Sequence, residues 1–522
     1  MSGITTALKG SPHVAQLLGA GAGVGFRQRG QTAGCIRLPD PEKISLRDYQ
    51  RGRGDERCDG SGDRGEFRSR KNAVKGTQVR IKQRPEDFSV KESFHFEPSR
   101  SGRYRVYLMT KQKLSTFEAV EHIRRQFGLK PGAITYCGLK DKQGTTEQLI
   151  AIEGTDVSLQ EPRLRLKFLG RSDSPLRPAN AASNRFAVTV RALKREDLGQ
   201  LNASVAEVAR LGVVNYFDSQ RFGSLKHGQG FIAKDLLRGD FEAALRNYMA
   251  QPSELDLSED AKVKQFWHEN WGKWHRRAPF ASGRKYERIL AALRKEPKDF
   301  VTAFLQIDRS YRALILFTYQ SYLWNEGVRR LLQLKLPREF LFPHPYQAGT
   351  LLFPREADAA TLQYLRAARF PLLAPDTQFT DAAIRQAAEW ALSREKIALA
   401  DLRIEKAAHQ LFFKHEERPV IVFPEKLVLG RPAADELNRG LLKLNVAFTL
   451  SPGSYATLVV RRLFHFCYRE DSHAELGTRS ARRPRRPPAV RAAVRAEARS
   501  RSKLPGLRRK ADTKGTGLKS SQ

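Results

Sequence analysis

The stretch from Tyr136 to Gln148, Y-C-G-L-K-D-K-Q-G-T-T-E-Q, carries the side chains in this chain best suited to chemistry. Its aspartate, Asp141, lies between Lys140 and Lys142 on a predicted tight strand–turn–strand corner bounded by glycines. Neighbouring positive charge favours the ionised form of a carboxyl group, and an ionised carboxylate on a rigid corner can act as a nucleophile without metal or cofactor. The alternative is a charged β-turn that is merely solvated, since Gly and Asp are common turn residues.

Four further segments combine aromatic, amide and basic side chains. They are K-Q-R-P-E-D-F (82–88), N-R-F (184–186), N-Y-F-D-S-Q-R-F-G (215–223) and S-P-G-S-Y-A-T (451–457). Each segment also has an ordinary structural interpretation, in which its phenylalanines and tyrosine are core residues, its asparagines form turns and its arginine is solvated. Spacing alone does not decide between the two interpretations.

The surrounding patterns predict the elements that position these segments. Alternation of apolar and polar residues predicts strands from Val79 onward, and at 103–109, 145–152, 163–169, 185–191, 441–450 and 457–466. A helix is predicted after Ser115, which forms a capping box with Glu118, and it should stop at Gly128. Further helices are predicted at 197–211, 311–336, 358–369 and 380–396. Because strands and helices are interspersed without regular βαβ spacing, we predict an α+β fold with a mixed, largely antiparallel sheet.

The charge of the chain indicates a polyanionic partner. The 522 residues carry a formal charge of +36, with a pI near 10.3. The tail at 478–522 holds 15 Lys and Arg against two acids, which leaves +23 on the rest of the chain. The positive field therefore belongs to the folded body as well as to the tail, and nucleic acid is the expected partner. The alternative is a charged surface that only confers solubility.

The four cysteines lie far apart and form no C-x-x-C pair, which argues against a zinc ribbon or a disulfide scaffold and fits a reducing cytoplasm. We therefore predict no metal. Because the glycine run at 19–25 is not a dinucleotide fingerprint, we also predict no cofactor. No apolar run approaches the length of a membrane span. The first 39 residues contain no Asp or Glu, so residues 1–76 are interpreted as a disordered leader, with an organelle transit peptide as the alternative.

Together these segments resemble the TruD family of pseudouridine synthases. The G-L-K-D-K corner, P-E-D-F, N-R-F, the Q-R-F-G segment and P-G-S-Y-A-T occur in the family's order, and the resemblance covers residues 77–463. It implies a pseudouridine-synthase-type sheet domain at 77–235 and 426–477, interrupted by an inserted, mainly helical α/β domain at 236–425. The tail at 478–522 is predicted to be disordered and lies outside the resemblance.

The resemblance implies that a uridine in tRNA, in the D-arm region by similarity to bacterial members, is isomerised to pseudouridine by a monomeric protein. Asp141 matches the family's catalytic aspartate. It would attack the ribose or the uracil ring, or take up a sugar proton. The implied substrate-binding residues are Lys82, Phe88, Asn184, Phe186 and Tyr455, and we assign RNA contacts to Lys140, Lys142, Gln220 and Arg221. Position 218 is Asp where the family usually has Gly, so a positive φ there would make the turn costly.

Two other functions remain open from the sequence. One is a non-catalytic RNA-binding protein or RNA chaperone on the same scaffold. The other is a glycosylase that releases the base. Conversion of Asp141 to Asn separates the first from an enzyme, and the appearance of free uracil identifies the second.

Overall fold

The strands of the molecule gather mainly into one large sheet. The computed structural model describes residues 79–222, 230–252, 256 and 258–466. Within these ranges the strands are β1 (Phe88–Phe94), β2 (Tyr104–Gln112), β3 (Ile134–Tyr136), β4 (Thr145–Glu153), β5 (Gln160–Glu161), β6 (Leu164–Ser172), β7 (Ala181–Leu193), β8 (Val213–Val214), β9 (Leu341–Tyr346), β10 (Gly349–Pro354), β11 (Arg369–Leu372), β12 (Glu416–Pro419), β13 (Ile421–Val422), β14 (Glu425–Leu429), β15 (Ala433–Ala434) and β16 (Leu442–Leu450).

Ten of these strands form the large sheet, in the order β14-β16-β7-β1-β4-β2-β6-β5, with β15 added to β16 and β3 added to β4. The β1–β4 ladder is parallel, and the other ladders described for this sheet are antiparallel. With helices packed around it, this sheet confirms the predicted α+β class.

The helices in the described part of the chain are α1 (Thr116–Gln126), α2 (Asp197–Leu211), α3 (Ile232–Leu237), α4 (Phe241–Met249), α5 (Ser258–Glu269), α6 (Glu287–Lys295), α7 (Phe300–Leu305), α8 (Arg309–Lys335), α9 (Ala359–Ala367), α10 (Ala382–Arg394) and α11 (Ala456–Leu463). None of them is both long and apolar enough to cross a bilayer.

The predicted start and stop of α1 are confirmed. The Glu118 amide donates to Ser115 Oγ at 3.1 Å, and the Ser115 amide donates to Glu118 Oε2 at 2.7 Å, so two otherwise unpaired donors are satisfied reciprocally. Gly128 has φ +61°, the left-handed conformation that ends the helix. This fixes where α1 begins relative to the Asp141 loop.

Most of the helices lie between β8 and β14. β8 pairs with β13, Val214 opposite Ile421, so the chain leaves the sheet region and returns to it at one place. Asn325 of α8 accepts from the Phe217 amide at 2.9 Å and donates to the Phe217 carbonyl at 2.8 Å, which joins the helical part to the 215–223 segment. The arrangement fits an insertion, and the predicted limits at 236 and 425 stay predictions.

Two predicted strands are wrong. The strand expected from Val79 onward is reduced to a single bridge between Arg80 and Arg191. Residues 457–466 were expected as a strand, but Ala456–Leu463 form α11, and every residue of this helix is buried. The β-branched residues Thr457, Val459 and Val460 favour a strand, and the packing of this segment in the core overrides that local preference. The predicted disordered leader at 1–76 and basic tail at 478–522 lie outside the described residues.

Candidate active site

Asp141 lies on an eight-residue loop, 137–144, between β3 and β4. β3 pairs only with the far half of β4, with Tyr136 opposite Ile150, so the connection is a broad loop. The predicted tight turn is therefore wrong. Gly144 ends the loop against β1, where a Cβ would lie 2.1 Å from the Phe88 carbonyl oxygen. A side chain at this position would push β4 away from β1, so the close approach requires glycine.

The Asp141 carboxylate is buried and hydrogen-bonded on both oxygens. Oδ2 accepts from Lys82 Nζ at 2.8 Å, and Oδ1 accepts from the Gln143 amide at 2.8 Å. Burial alone would raise the pKa of this carboxyl group. The charge and hydrogen bond of Lys82, the Gln143 amide and the charge of Lys111 outweigh burial and lower the pKa below its ordinary value. Asp141 is therefore an ionised carboxylate at neutral pH.

Lys82 reaches this carboxylate from a strained backbone. Its φ is +60°, a left-handed conformation that costs energy for a residue other than glycine. Its ammonium also lies 4.2 Å from the centre of the Phe88 ring, a cation–π distance. The sequence-predicted residues Lys82, Phe88 and Asp141 are thus brought together.

A second lysine at the site, Lys111, was missed by the sequence interpretation. Its Nζ donates to the Asp141 carbonyl at 2.7 Å and to the Leu114 carbonyl at 2.8 Å. A signal for it existed, because Lys111 falls in the inward phase of β2, in register with Tyr107 and Met109. Lysine is almost never fully buried unless its charge is paired, so a lysine in the buried phase of a strand indicates a specific contact.

The two lysines next to Asp141 in sequence point elsewhere. Lys140 is buried in an ion pair with Glu92 of β1, and Lys142 pairs with Glu118 of α1 at 2.6 Å. The Glu92 carboxylate also accepts from the Leu149 amide at 3.0 Å, beyond the point where the β1–β4 ladder ends. The cation that contacts the Asp141 carboxylate is therefore distant in sequence. The assigned RNA contacts of Lys140 and Lys142 stay predictions.

Phe88, Asn184 and Phe186 share one face of the sheet. In the β1–β7 ladder Phe186 lies opposite Val90, and Asn184 lies opposite Glu92. The Phe88 and Phe186 rings meet edge to face with 6.1 Å between centres, and they are 2% and 7% exposed. Both rings are therefore largely packed in the core.

The Asn184 side chain is buried in this face, and in the described structure its Oδ1 has no hydrogen-bond partner. A buried polar atom without a partner costs about 1–3 kcal/mol, so it needs an explanation. One explanation is that this oxygen accepts a hydrogen bond from a ligand.

Tyr455 and Arg221 form a second group. β16 ends at Leu450, opposite Asn184, and a short turn leads from there to Tyr455. Arg221 Nε donates to the Tyr455 hydroxyl at 3.2 Å, and the Arg221 guanidinium lies 4.5 Å from the Phe317 ring centre. Gln220 next to it is exposed. The predicted roles of these residues toward RNA stay predictions.

Asp218 has a structural role that the sequence did not indicate. Its φ is not positive, so the strain expected at this position is absent. The buried carboxylate instead pairs with Arg461 of α11 at 2.8 Å and accepts from the Thr457 hydroxyl. It therefore fastens α11 to the segment that carries Arg221.

Cys137, which begins the loop, is buried, and burial raises the pKa of its thiol to about 11. It behaves as a small apolar residue and not as a nucleophile. No group of three or more His, Cys, Asp or Glu within the described residues is placed to hold a metal ion.

A model of the family described as "tRNA pseudouridine synthase D (TruD)" matches residues 69–463. The chain belongs to the TruD family. A "Probable tRNA pseudouridine synthase D 2" from Methanocaldococcus jannaschii is 32% identical over 407 residues, which cover 76% of this chain and 94% of that protein. A tRNA pseudouridine synthase D from Aquifex aeolicus is 31% identical over 398 residues, covering 74% of this chain and 98% of that protein.

A crystal structure described as that of the "Putative tRNA pseudouridine synthase D (TruD)" from Methanosarcina mazei is similar to this fold. The TM-score is 0.52 at 26% sequence identity, and the match covers 75% of this chain and 94% of the other. The matched family region includes the Asp141 loop, the N-R-F strand and the start of α11.

Proposed function

We propose that this chain isomerises a uridine of tRNA to pseudouridine, that the uridine lies in the D-arm region, and that Asp141 is the catalytic residue. The observation that carries this proposal is a buried carboxylate held ionised by Lys82, beside a sheet face with two aromatic rings and an amide oxygen for which the described residues provide no hydrogen-bond partner. Membership of the TruD family supports the reaction and the tRNA substrate.

The reaction exchanges one bond for another. The bond from uracil N1 to ribose C1′ breaks, the base turns, C5 bonds to C1′, the C5 proton leaves and N1 gains a proton. No electrons are gained or lost. Asp141 would begin this exchange by attacking the ribose or the uracil ring, or by taking up a sugar proton. Each of these steps requires the carboxylate form, which the lowered pKa of Asp141 supplies at neutral pH.

The target base must leave the stack to reach a buried carboxylate. A flipped uracil offers both an N–H and carbonyl groups at its edge, so the Asn184 amide can pair with it in either orientation. Phe186 would pack on the base, a contact worth about 1–3 kcal/mol. Phe88 contacts both the Phe186 ring, edge to face, and the Lys82 ammonium. Tyr455 would contact the substrate where β16 ends.

RNA outside the pocket would meet cationic and polar groups on the surface. Gln220 and Lys142 are exposed enough to reach a phosphate, whereas Lys140 would first have to leave Glu92. We also propose that the protein works as a monomer in the cytoplasm, which size-exclusion chromatography and cell fractionation would test.

The function is tested by mapping pseudouridines in a pool of unmodified tRNA transcripts after incubation with the protein. The proposal expects pseudouridine at one D-arm position and no free uracil. Free uracil would identify a glycosylase. Binding without any modified base would identify the RNA-binding alternative. A matched pair, Asp141→Asn and the exposed Asp173→Asn, separates loss of the carboxylate from loss of an acid in general.

A further inference from the structure

Lys111 is a buried cation that the reaction as described above does not use. It lies near the end of β2 with 1% of its surface exposed. Lysine is almost never fully buried unless its charge is paired, because removing an ammonium from water is costly. The position of Lys111 therefore needs a compensating set of contacts.

These contacts are main-chain carbonyls of the Asp141 loop and of the start of α1. Nζ donates to the Asp141 carbonyl at 2.7 Å and to the Leu114 carbonyl at 2.8 Å, and it lies 3.5 Å from the Lys140 carbonyl. An ammonium has three protons, one for each of these oxygens, whereas a neutral amine has two. Only the charged form can satisfy all three.

Other hydrogen bonds attach the same loop to the start of α1 and to β4. The Lys140 amide donates to Thr116 Oγ1 at 3.0 Å, and Gln148 donates to the Gly138 carbonyl at 3.0 Å. Both bonds hold the part of the loop that precedes Asp141. Lys111 holds the main chain of Asp141 itself, and no other side chain is described with a bond to that carbonyl.

We propose that Lys111 is a positioning residue for Asp141. Its ammonium ties the main chain of the loop to β2 and α1, and this fixes the direction in which the carboxylate leaves the loop toward Lys82. The inference rests on the proposed catalytic role of Asp141. A displacement of about 1 Å at a reacting group can lower a rate about 100-fold.

The charge of Lys111 is set by its surroundings. Burial lowers the pKa of its ammonium to about 8, Asp141 acts in the opposite direction, Lys140 lowers it further and Glu118 of α1 raises it. The charged form predominates at pH 7 and is lost as the pH rises through about 8. The rate at saturating tRNA should therefore fall between pH 7 and 9, with KM little changed.

The test compares Lys111→Met, Lys111→Arg and the exposed control Lys167→Met on β6, with kcat and KM measured from pH 6 to 9. Lys111→Met should lower kcat at pH 7 by about 10- to 100-fold with KM within about threefold. Lys111→Arg should show a flat kcat from pH 7 to 9, because its guanidinium stays protonated. Lys167→Met should keep both the wild-type kcat and its alkaline decline.

Thermal unfolding and tRNA affinity establish that each variant is folded. If Lys111→Met does not fold, the pH profiles of the wild type and of Lys111→Arg still decide. A wild-type kcat that is constant from pH 7 to 9, or a folded Lys111→Met with wild-type kcat, would overturn the inference.

Asp141→Asn, assayed in parallel, separates the two proposals. An inactive Asp141→Asn beside a fully active Lys111→Met removes only the role of Lys111. An active Asp141→Asn removes the proposed role of Asp141 as well.

Discussion

Two buried aspartates in this molecule are both paired with cations, yet their surroundings differ. Asp218 lies in the core with a side chain 2% exposed, and Arg461, Thr457 and the Ser219 amide all donate to it. Asp141 has a side chain 10% exposed and is held by Lys82 and the Gln143 amide.

The groups around each acid show the contrast more clearly. The partners of Asp218 lie on a buried helix and in its own turn. Asp141 is held by a lysine with a left-handed backbone, and the same sheet carries an asparagine oxygen without a described partner. Strained and unsatisfied groups persist where function requires them. A buried ion pair alone therefore does not identify a catalytic acid, but its neighbours do.

The largest expected effect on stability is at Asp218. Asp218→Asn leaves the buried Arg461 without its counter-charge, which should lower the free energy of unfolding by about 3–5 kcal/mol. Activity per folded molecule, measured well below the unfolding midpoint, should change by less than about tenfold. Urea unfolding beside a pseudouridine assay checks both. A stability close to wild type would mean that the Asp218–Arg461 pair does not fasten α11.

Lys82→Met should change the pH dependence of activity. In the wild type the pKa of Asp141 is lowered, so its carboxylate persists, and its ion pair stabilises the fold, until the pH falls below the ordinary value near 4. Without Lys82, burial is less opposed and the pKa of Asp141 rises. The acid limb of kcat/KM should then move upward, with a fall in rate of about 10- to 100-fold at neutral pH.

The control for this experiment is Lys91→Met, since Lys91 is 60% exposed and pairs with Glu147 on the same strand pair. It should keep the wild-type profile between pH 4 and 8. An unshifted acid limb in Lys82→Met would show that Lys82 does not govern the ionisation of Asp141.

We expect the smallest effect from Asn184→Leu. This variant should lower activity but should not lower stability. Without the amide the uracil edge lacks a partner, which costs about 1–3 kcal/mol and should lower kcat/KM roughly tenfold. The free energy of unfolding should stay equal or rise, because the unpartnered oxygen is removed. The exposed Asn202→Leu on α2 is the control. A less stable but fully active Asn184→Leu would make Asn184 a structural residue.

The sequence was sufficient for elements whose signals are local. Alternation located β7, and the Ser115–Glu118 box located the start of α1, because these patterns depend on neighbouring residues. It was insufficient for α11, whose β-branched residues favour a strand although packing makes the segment helical. It named Lys140 and Lys142 as charges around Asp141 and, through the family resemblance, Lys82, but it missed Lys111, which β2 brings there.

The contacts of Asp218 were likewise not predictable from local sequence. A family pattern suggested only a costly turn, and the pairing with Arg461 depends on a helix more than 200 residues away in the chain. Motifs located the acid and the aromatic strand of the candidate site. The partners that set charge and orientation came from the sheet register, which no local pattern records.

The most direct test of the account is single-turnover formation of pseudouridine by Asp141→Asn, with enzyme in excess over a saturating tRNA transcript. We expect a rate at least about 1,000-fold below wild type, with tRNA affinity within a few-fold, and wild-type behaviour from Asp173→Asn. A rate for Asp141→Asn within tenfold of wild type would contradict the claim that this carboxylate performs the chemistry.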